Sequence, residues 1–292
     1  QEERYYRDAH IGNAFLNIDQ SFGKNSHIGT TIGANFNDYR NSELTVQQKG
    51  SLSDKLAYIN LASASEIKKL NESISSYRTL GFFGRVNYNY AEKYLFEISG
   101  RYDGTSRFPK GQRWGFFPSA STGWRISEEP FWGPLKGWWN NAKLRLSYGS
   151  LGNQQVSNYY YIDKISLGKL NYTLNDTEAL QGATMSAPVS SDLTWETVIT
   201  YNAGLDLGFL RDRINISADV FVRDTKNMLT TAMTLPNVYG AAAPKMNAAD
   251  LRTTGFELAV SWKDKVEVAG KPMFYGITAT LGDNISKITK YN

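Results

Sequence analysis

Any bond chemistry in this chain would have to come from carboxylates, basic residues, hydroxyls and tyrosines, because it has two histidines, His10 and His27, and no cysteine. The missing thiol excludes cysteine nucleophiles, disulfides and thiolate metal sites together. His27 follows the turn Gly23-Lys24-Asn25-Ser26, and no serine and carboxylate are spaced around it as a triad requires. Gly149-Ser150-Leu151-Gly152 is too degenerate for a phosphate loop, and no His-x-x-x-His or calcium-loop spacing occurs. These residue types predict no catalysis, no cofactor and no metal. They suit recognition instead. Tyr159, Tyr160 and Tyr161 are consecutive, and such rings stack on sugar faces and on peptide side chains. The same run also suits a short extra strand or an interfacial aromatic belt. Together with the three tyrosines, Arg101 and Arg145 are the candidate substrate-binding residues. Asp103 and Arg107, on either side of Gly104, are expected to pair with each other or to cap a turn.

A period of two positions these side chains. Ala142-Lys143-Leu144-Arg145-Leu146-Ser147-Tyr148 and Ile214-Asn215-Ile216-Ser217-Ala218-Asp219-Val220 each put apolar residues on one strand face and polar ones on the other. The pattern recurs along nearly the whole chain, near 12–22, 26–38, 75–90, 92–104, 114–126, 141–149, 193–209, 212–226, 252–263 and 273–286. One set holds Leu80, Phe82, Val86, Tyr88, Tyr90, Phe96, Ile98, Tyr102, Leu205 and Phe256. The opposite set holds Arg85, Asn87, Glu97, Arg101, Lys143, Arg145, Asp206, Asp219 and Glu257. No helical segment is available to cover the apolar set. Bulk outside and charge inside is the arrangement of an antiparallel transmembrane β-barrel meander, here of about ten strands, so the fold class is all-β.

Composition agrees. The 13% aromatic content, 18 tyrosines and 25 glycines suit a strand- and turn-rich chain, and a mean hydropathy of -0.43 excludes helical spans. The net charge of +4 is dispersed and leaves no nucleic-acid footprint. Connections alternate in length, with short turns at Gly23-Lys24-Asn25-Ser26, Ala91-Glu92-Lys93 and Arg211-Asp212-Arg213. Long polar ones lie at 39–74, 103–113, 150–192 and 227–251. Every second connection of a barrel falls on one rim, which gives this rhythm. Two connections on the short side, 127–140 and 263–272, are longer than expected. The first carries Phe131, Trp132, Trp138 and Trp139 and predicts a small interfacial helix. Glycines on the inward set, such as Gly33, Gly81, Gly204 and Gly255, suit either a plug close to the wall or relief of curvature.

Between 102 and 153 the segments become distinctive: Tyr102-Asp103-Gly104-Thr105-Ser106-Arg107-Phe108, Arg113-Trp114-Gly115-Phe116-Phe117-Pro118-Ser119, Gly123-Trp124-Arg125-Ile126-Ser127-Glu128-Glu129 and Leu144-Arg145-Leu146-Ser147-Tyr148-Gly149. Trp195-Glu196-Thr197, Lys226-Asn227-Met228-Leu229 and Gly255-Phe256-Glu257-Leu258 follow in order. This succession resembles the SusC/RagA family of TonB-dependent outer-membrane transporters of Bacteroidetes. The resemblance implies a barrel of about 22 strands around a plug, with no bond chemistry. It implies import of a large nutrient, oligosaccharide or peptide, across the bacterial outer membrane. Siderophore or vitamin uptake, a passive porin and an outer-membrane hydrolase are the alternatives. The implied partners are a SusD-like surface lipoprotein, TonB acting through a plug outside this segment, the plug and remaining strands themselves, and surrounding lipid and lipopolysaccharide. Residues 1–292 are thus expected to be part of a receptor barrel domain. The strands near 12–22 and 273–286 should each hydrogen-bond a further strand rather than each other.

Overall fold

The computed structural model describes residues 2–48, 67–174, 178–185, 188–231, 236, 238, 243–268 and 270–291. Ten strands form one sheet: β1 (Glu2–Phe22), β2 (Ser26–Gln48), β3 (Ile67–Tyr90), β4 (Tyr94–Thr105), β5 (Trp114–Arg125), β6 (Trp139–Asn153), β9 (Glu196–Phe209), β10 (Ile214–Thr231), β11 (Lys245–Val268) and β12 (Lys271–Tyr291). Each pairs antiparallel with the next in that order. A separate hairpin, β7 (Ile165–Leu174) with β8 (Glu178–Met185), lies within the connection from β6 to β9. The sheet is open, with β1 and β12 as its two edges.

The ladders carry the sequence period across the sheet. One row runs Ile18, Thr30, Val86, Ile98, Ala120, Tyr148, Tyr201, Val222, Thr254, Ile285. The row beneath it on the opposite face holds Asp19, Gly29, Asn87, Glu97, Ser121, Ser147, Asn202, Phe221, Gly255 and Asn284. Among the described residues the apolar face has no second layer: Phe96 and Leu146 are each 47% exposed and Ile98 is 68% exposed. An apolar sheet face this large and this bare is stable only against lipid.

Strands run further than the alternation predicts. Residues 39–48 and 67–74, expected in a loop, continue β2 and β3, with Tyr39 opposite Tyr77 and Asp38 opposite Arg78. Residues 227–231 and 245–251 likewise extend β10 and β11. Outside lipid the side chains lose their apolar period, but the backbone still has ladder bonds to make, so pairing outlasts patterning. The connection expected at 263–272 shrinks to the two residues between β11 and β12. That expected at 127–140 forms two 3-10 turns, Ile126–Glu128 and Pro130–Leu135, in place of one small helix, and Pro134 lies inside the second.

Aromatic rings gather at this short-turn rim. Trp132 and Trp139 stand 4.5 Å apart, Trp139 and Phe209 5.4 Å, and Trp262 and Tyr275 5.9 Å. Glu129 ties the 3-10 turns to the sheet by accepting hydrogen bonds from Tyr94 Oη (2.6 Å), Trp124 Nε1 (3.2 Å) and Lys93 Nζ (3.4 Å). The Tyr94 and Trp124 donors hold its carboxyl below the usual range.

The inward glycines have a third explanation beyond plug and curvature. Gly33, Gly204 and Gly255 make room for a large neighbour lying across the sheet. A Cβ at Gly33 would stand 2.6 Å from the Phe83 ring, at Gly255 2.7 Å from the Phe221 ring, and at Gly204 2.7 Å from Arg145 Cζ. Outward Gly12 has nothing within 4 Å.

Two outcomes are expected for the protein folded in lipid vesicles. Gly204→Val overpacks Arg145 and lowers stability to urea by roughly 1–3 kcal/mol, whereas Gly12→Ala leaves it equal or higher. Equal losses from the two would remove the packing account. Glu129→Gln removes a contribution whose folded pKa is depressed. That contribution is complete above the ordinary carboxylate value of about 4.3 and is lost as pH falls through the lowered folded value. Wild type should exceed the variant at neutral pH and converge with it in acid. A gap independent of pH would contradict this.

Candidate functional site: the charged face and the long-loop rim

The inward charges form ion pairs along and across strands. Arg145 on β6 donates to Asp206 on β9 from Nε (2.8 Å) and Nη2 (3.0 Å), and from Nη2 to Asp219 on β10 (2.9 Å). Ser217 Oγ donates to Asp206 (2.8 Å) and Asn202 Nδ2 to Asp219 (3.1 Å). The guanidinium thus sits in a fork of two carboxylates, over the floor that Gly204 leaves open. Arg101 on β4 is held in the same way, by Asp103 at 3.0 and 2.8 Å and by Asn35 Oδ1 at 3.0 Å, above the Phe83 ring. Arg85 faces Glu97 at 3.7 Å. Lys143 lines the same concavity as Glu97 and Arg145. Ion pairing keeps this wall polar without a strong field of either sign.

Asp103 and Arg107 do not meet. Asp103 belongs to Arg101, and Arg107 reaches away to Asn158 Oδ1 (3.0 Å), the Gln154 carbonyl (3.3 Å) and the face of Tyr77 at 3.9 Å. The reason is geometric. Asp103 and Arg101 share the inward face at i and i+2, whereas Arg107 lies beyond the end of β4.

At the long-loop rim the chain builds its one buried apolar cluster among the described residues: Phe108, Phe117, Leu193 and Trp195, with Val156, Tyr160 and Leu229 against it. The β5–β6 ladder stops at Ser119 opposite Gly149, while β6 goes on pairing with β9 up to Asn153 opposite Glu196. The strands part there. Phe117 lies against Gly115 and Gly152 in the gap, with the Trp195 ring edge-on to it at 5.3 Å and Phe108 tilted against Trp195 at 5.4 Å. Hydrogen bonds close the knot. Trp195 Nε1 donates to the Arg113 carbonyl (3.0 Å) and Arg113 Nε to the Phe108 carbonyl (3.1 Å). Glu196 accepts from Asn153 Nδ2 (3.1 Å) and the Leu229 amide (3.3 Å). Asn247 Nδ2 donates to the carbonyls of Thr194 and Asn227. Asp250 takes Lys226 Nζ at 2.9 Å, which holds its carboxyl below the usual range.

Tyr159, Tyr160 and Tyr161 lie in a turn on this knot. Tyr159, at φ 61°, bonds the Ser76 amide (3.1 Å) and hydroxyl (2.7 Å) through its phenol, and Tyr160 Oη accepts from the Lys245 amide (3.1 Å). The run spans from β3 to β11 as a strap. It is neither a strand nor a girdle. The alternation placed Arg101 and Arg145 on one face, with Asp206 and Asp219 beside Arg145; the expectation that Asp103 pairs with Arg107 or caps a turn is corrected by its bonds to Arg101. The sequence reading missed the role of Phe117, Leu193 and Trp195, although a Leu and a Trp two residues apart after a polar stretch break the surrounding polarity.

Trp195→Ala should cost about 3–5 kcal/mol locally and expose 154–164 to protease. Phe131→Ala, on the other rim, should leave that cleavage rate unchanged. Slow cleavage in both would show that the cluster does not hold the strap.

Comparison with known proteins agrees with this geometry. A family model described as TonB dependent receptor-like, beta-barrel, matches residues 1–290. TonB-dependent receptor P26 of Formosa agariphila is 29% identical over 247 residues, 84% of this chain and 24% of that protein. TonB-dependent receptor SusC of Bacteroides thetaiotaomicron is 31% identical over 214 residues, 72% of this chain and 21% of that protein. The structure of the RagAB peptide transporter superposes with a TM-score of 0.85 at 24% identity, over 99% of this chain and 31% of its own. The chain therefore spans about a quarter of the curated relatives it matches. By the match along its length, and with SusC/RagA-like members among its relatives, the chain belongs to the TonB-dependent receptor-like β-barrel family of the bacterial outer membrane.

Proposed function

We propose that residues 1–292 are part of the barrel wall of a receptor that imports a large nutrient, oligosaccharide or peptide, across the outer membrane under TonB control. The supporting observation is a single sheet with a bare apolar face and an ion-paired polar one. Such a sheet separates lipid from a polar interior. In this reading β1 and β12 each take a further strand of a larger barrel. A plug outside these residues packs near the Arg145 and Arg101 pairs, and a SusD-like lipoprotein sits over the long-loop rim. Cargo recognition is assigned to Tyr159, Tyr160 and Tyr161 at that rim and to Arg101 and Arg145 on the inner wall. The phenols that already bond Ser76 and Lys245 offer their ring faces for stacking, which leaves the strap intact.

The test is uptake by cells expressing the whole receptor. Loss of TonB should abolish import of the cargo, and uptake that persists would favour a passive porin. Tags placed at 154–164 should be reachable on intact cells, and tags at Asn25, Glu92 and Asp212 should not. The reverse labelling would invert the topology.

A further inference from the structure

The outward face between the rims is free of Asp, Glu, Lys, Arg and His among the described residues, with a single exception. One cross-strand row reads Gln20, Ile28, Tyr88, Phe96, Thr122, Leu146, Ala203, Val220, Phe256 and, on the edge strand β12, Asp283. Asp283 takes the outward side by its pairing with Phe256, in the succession Tyr275, Ile277, Ala279, Leu281, Asp283, Ile285. Leu281 and Ile285 on either side are 62% and 59% exposed. The depth follows from register. Phe256 lies six residues from Trp262 in the rim girdle and four from Arg252, whose ion pair with Asp224 marks the far limit of the apolar band. Four residues of a tilted strand put the carboxylate on the order of 10 Å inside that limit.

A charge there is costly unless it is paired. A carboxylate accepts about four hydrogen bonds, and among the described residues Asp283 accepts one, from the Asn284 amide at 2.8 Å. Toward β11 it faces Phe256, flanked by Leu258 and Thr254. Lys287, four positions along the strand, is roughly 13 Å away. Lipid headgroups lie above it, and those of a bacterial outer leaflet carry phosphate, the same sign of charge. The side of β12 left over is its open edge.

We propose that Asp283 is half of a lipid-facing ion pair, and that the strand added to the open edge of β12 supplies the other half, a Lys or Arg directly or diagonally opposite. This rests on the reading of the chain as part of a larger barrel. Directly opposed Cβ atoms stand about 4.5–5.5 Å apart and diagonal ones about 7–8 Å, within reach of either basic side chain. The pair would also fix register, since a slip of one residue turns the basic group to the inner face and strands Asp283 in lipid.

The whole receptor, purified from outer membranes, decides the matter by the temperature at which its compact band on SDS gels unfolds. Asp283→Leu should lower that temperature by several degrees, because it leaves a lone cation in lipid, and Asp283→Asn should lower it less. Exchanging the two charges, with Asp283→Lys and the opposing basic residue changed to Asp, should restore it. An unchanged or higher temperature for Asp283→Leu overturns the proposal, as does an adjoining strand with no Lys or Arg on its outward face. A wild-type receptor with no heat-modifiable band overturns the barrel reading itself, a result the variants cannot imitate.

Discussion

The structure depends on one requirement: in lipid, every backbone N–H and C=O must find its partner within the protein. A sheet with an exposed apolar face can meet it only by unbroken ladders, and the ten strands pair in that way from β1 through β12. The requirement explains why strands outrun the apolar band at the long-loop rim. A ladder that stopped at the lipid boundary would leave unpaired groups where the headgroups begin. It also explains why the two edges carry so much of the functional argument. They are the places where the chain's own hydrogen bonding is incomplete.

The inner face answers to a different constraint. It must be polar enough to meet water or a plug, yet its charges cannot be left unpaired in a narrow space. Arg145 between Asp206 and Asp219, and Arg101 on Asp103, satisfy both conditions. Long side chains lying flat need floor space, and the glycines beneath or beside them supply it. Gly33, Gly204 and Gly255 thus belong to the same device as Phe83, Arg145 and Phe221. A glycine in a strand interior weakens the strand locally; here the packing above it returns the loss.

Legibility in the sequence followed the solvent. Where one face meets lipid, the period of two is enforced, and strands such as β4 and β5 could be placed within a residue or two. Beyond the lipid both faces are wet. Tyr39, Arg40 and Asn41 then look like loop although they pair with Tyr77, Ser76 and Ser75. The ion pairs were legible only in part. Parity put Arg145, Asp206 and Asp219 on one face, but which carboxylate meets which base depends on cross-strand register, and nothing local encodes that. The expected Asp103–Arg107 contact failed for another reason: Asp103 is taken by Arg101 two residues back on the same strand, and Arg107 lies beyond the end of β4. The β7–β8 hairpin was hidden because its apolar period breaks within the strand, Ile165 and Leu167 falling on one parity and Leu170, Tyr172 and Leu174 on the other.

Four of the segments that carry the family resemblance build the rim knot; the others lie in the wall or at the opposite rim. Phe108, Arg113, Phe117, Trp195, Glu196 and Lys226 meet there from four parts of the chain, and they close the gap where β5 and β6 part. Their work is mechanical. The knot lets the wall split at the surface without unpaired strands at its heart, and it holds the strap of Tyr159 and Tyr160 across from β3 to β11. Buried rings and carbonyl contacts thus set the positions of the strap's tyrosines relative to β3 and β11.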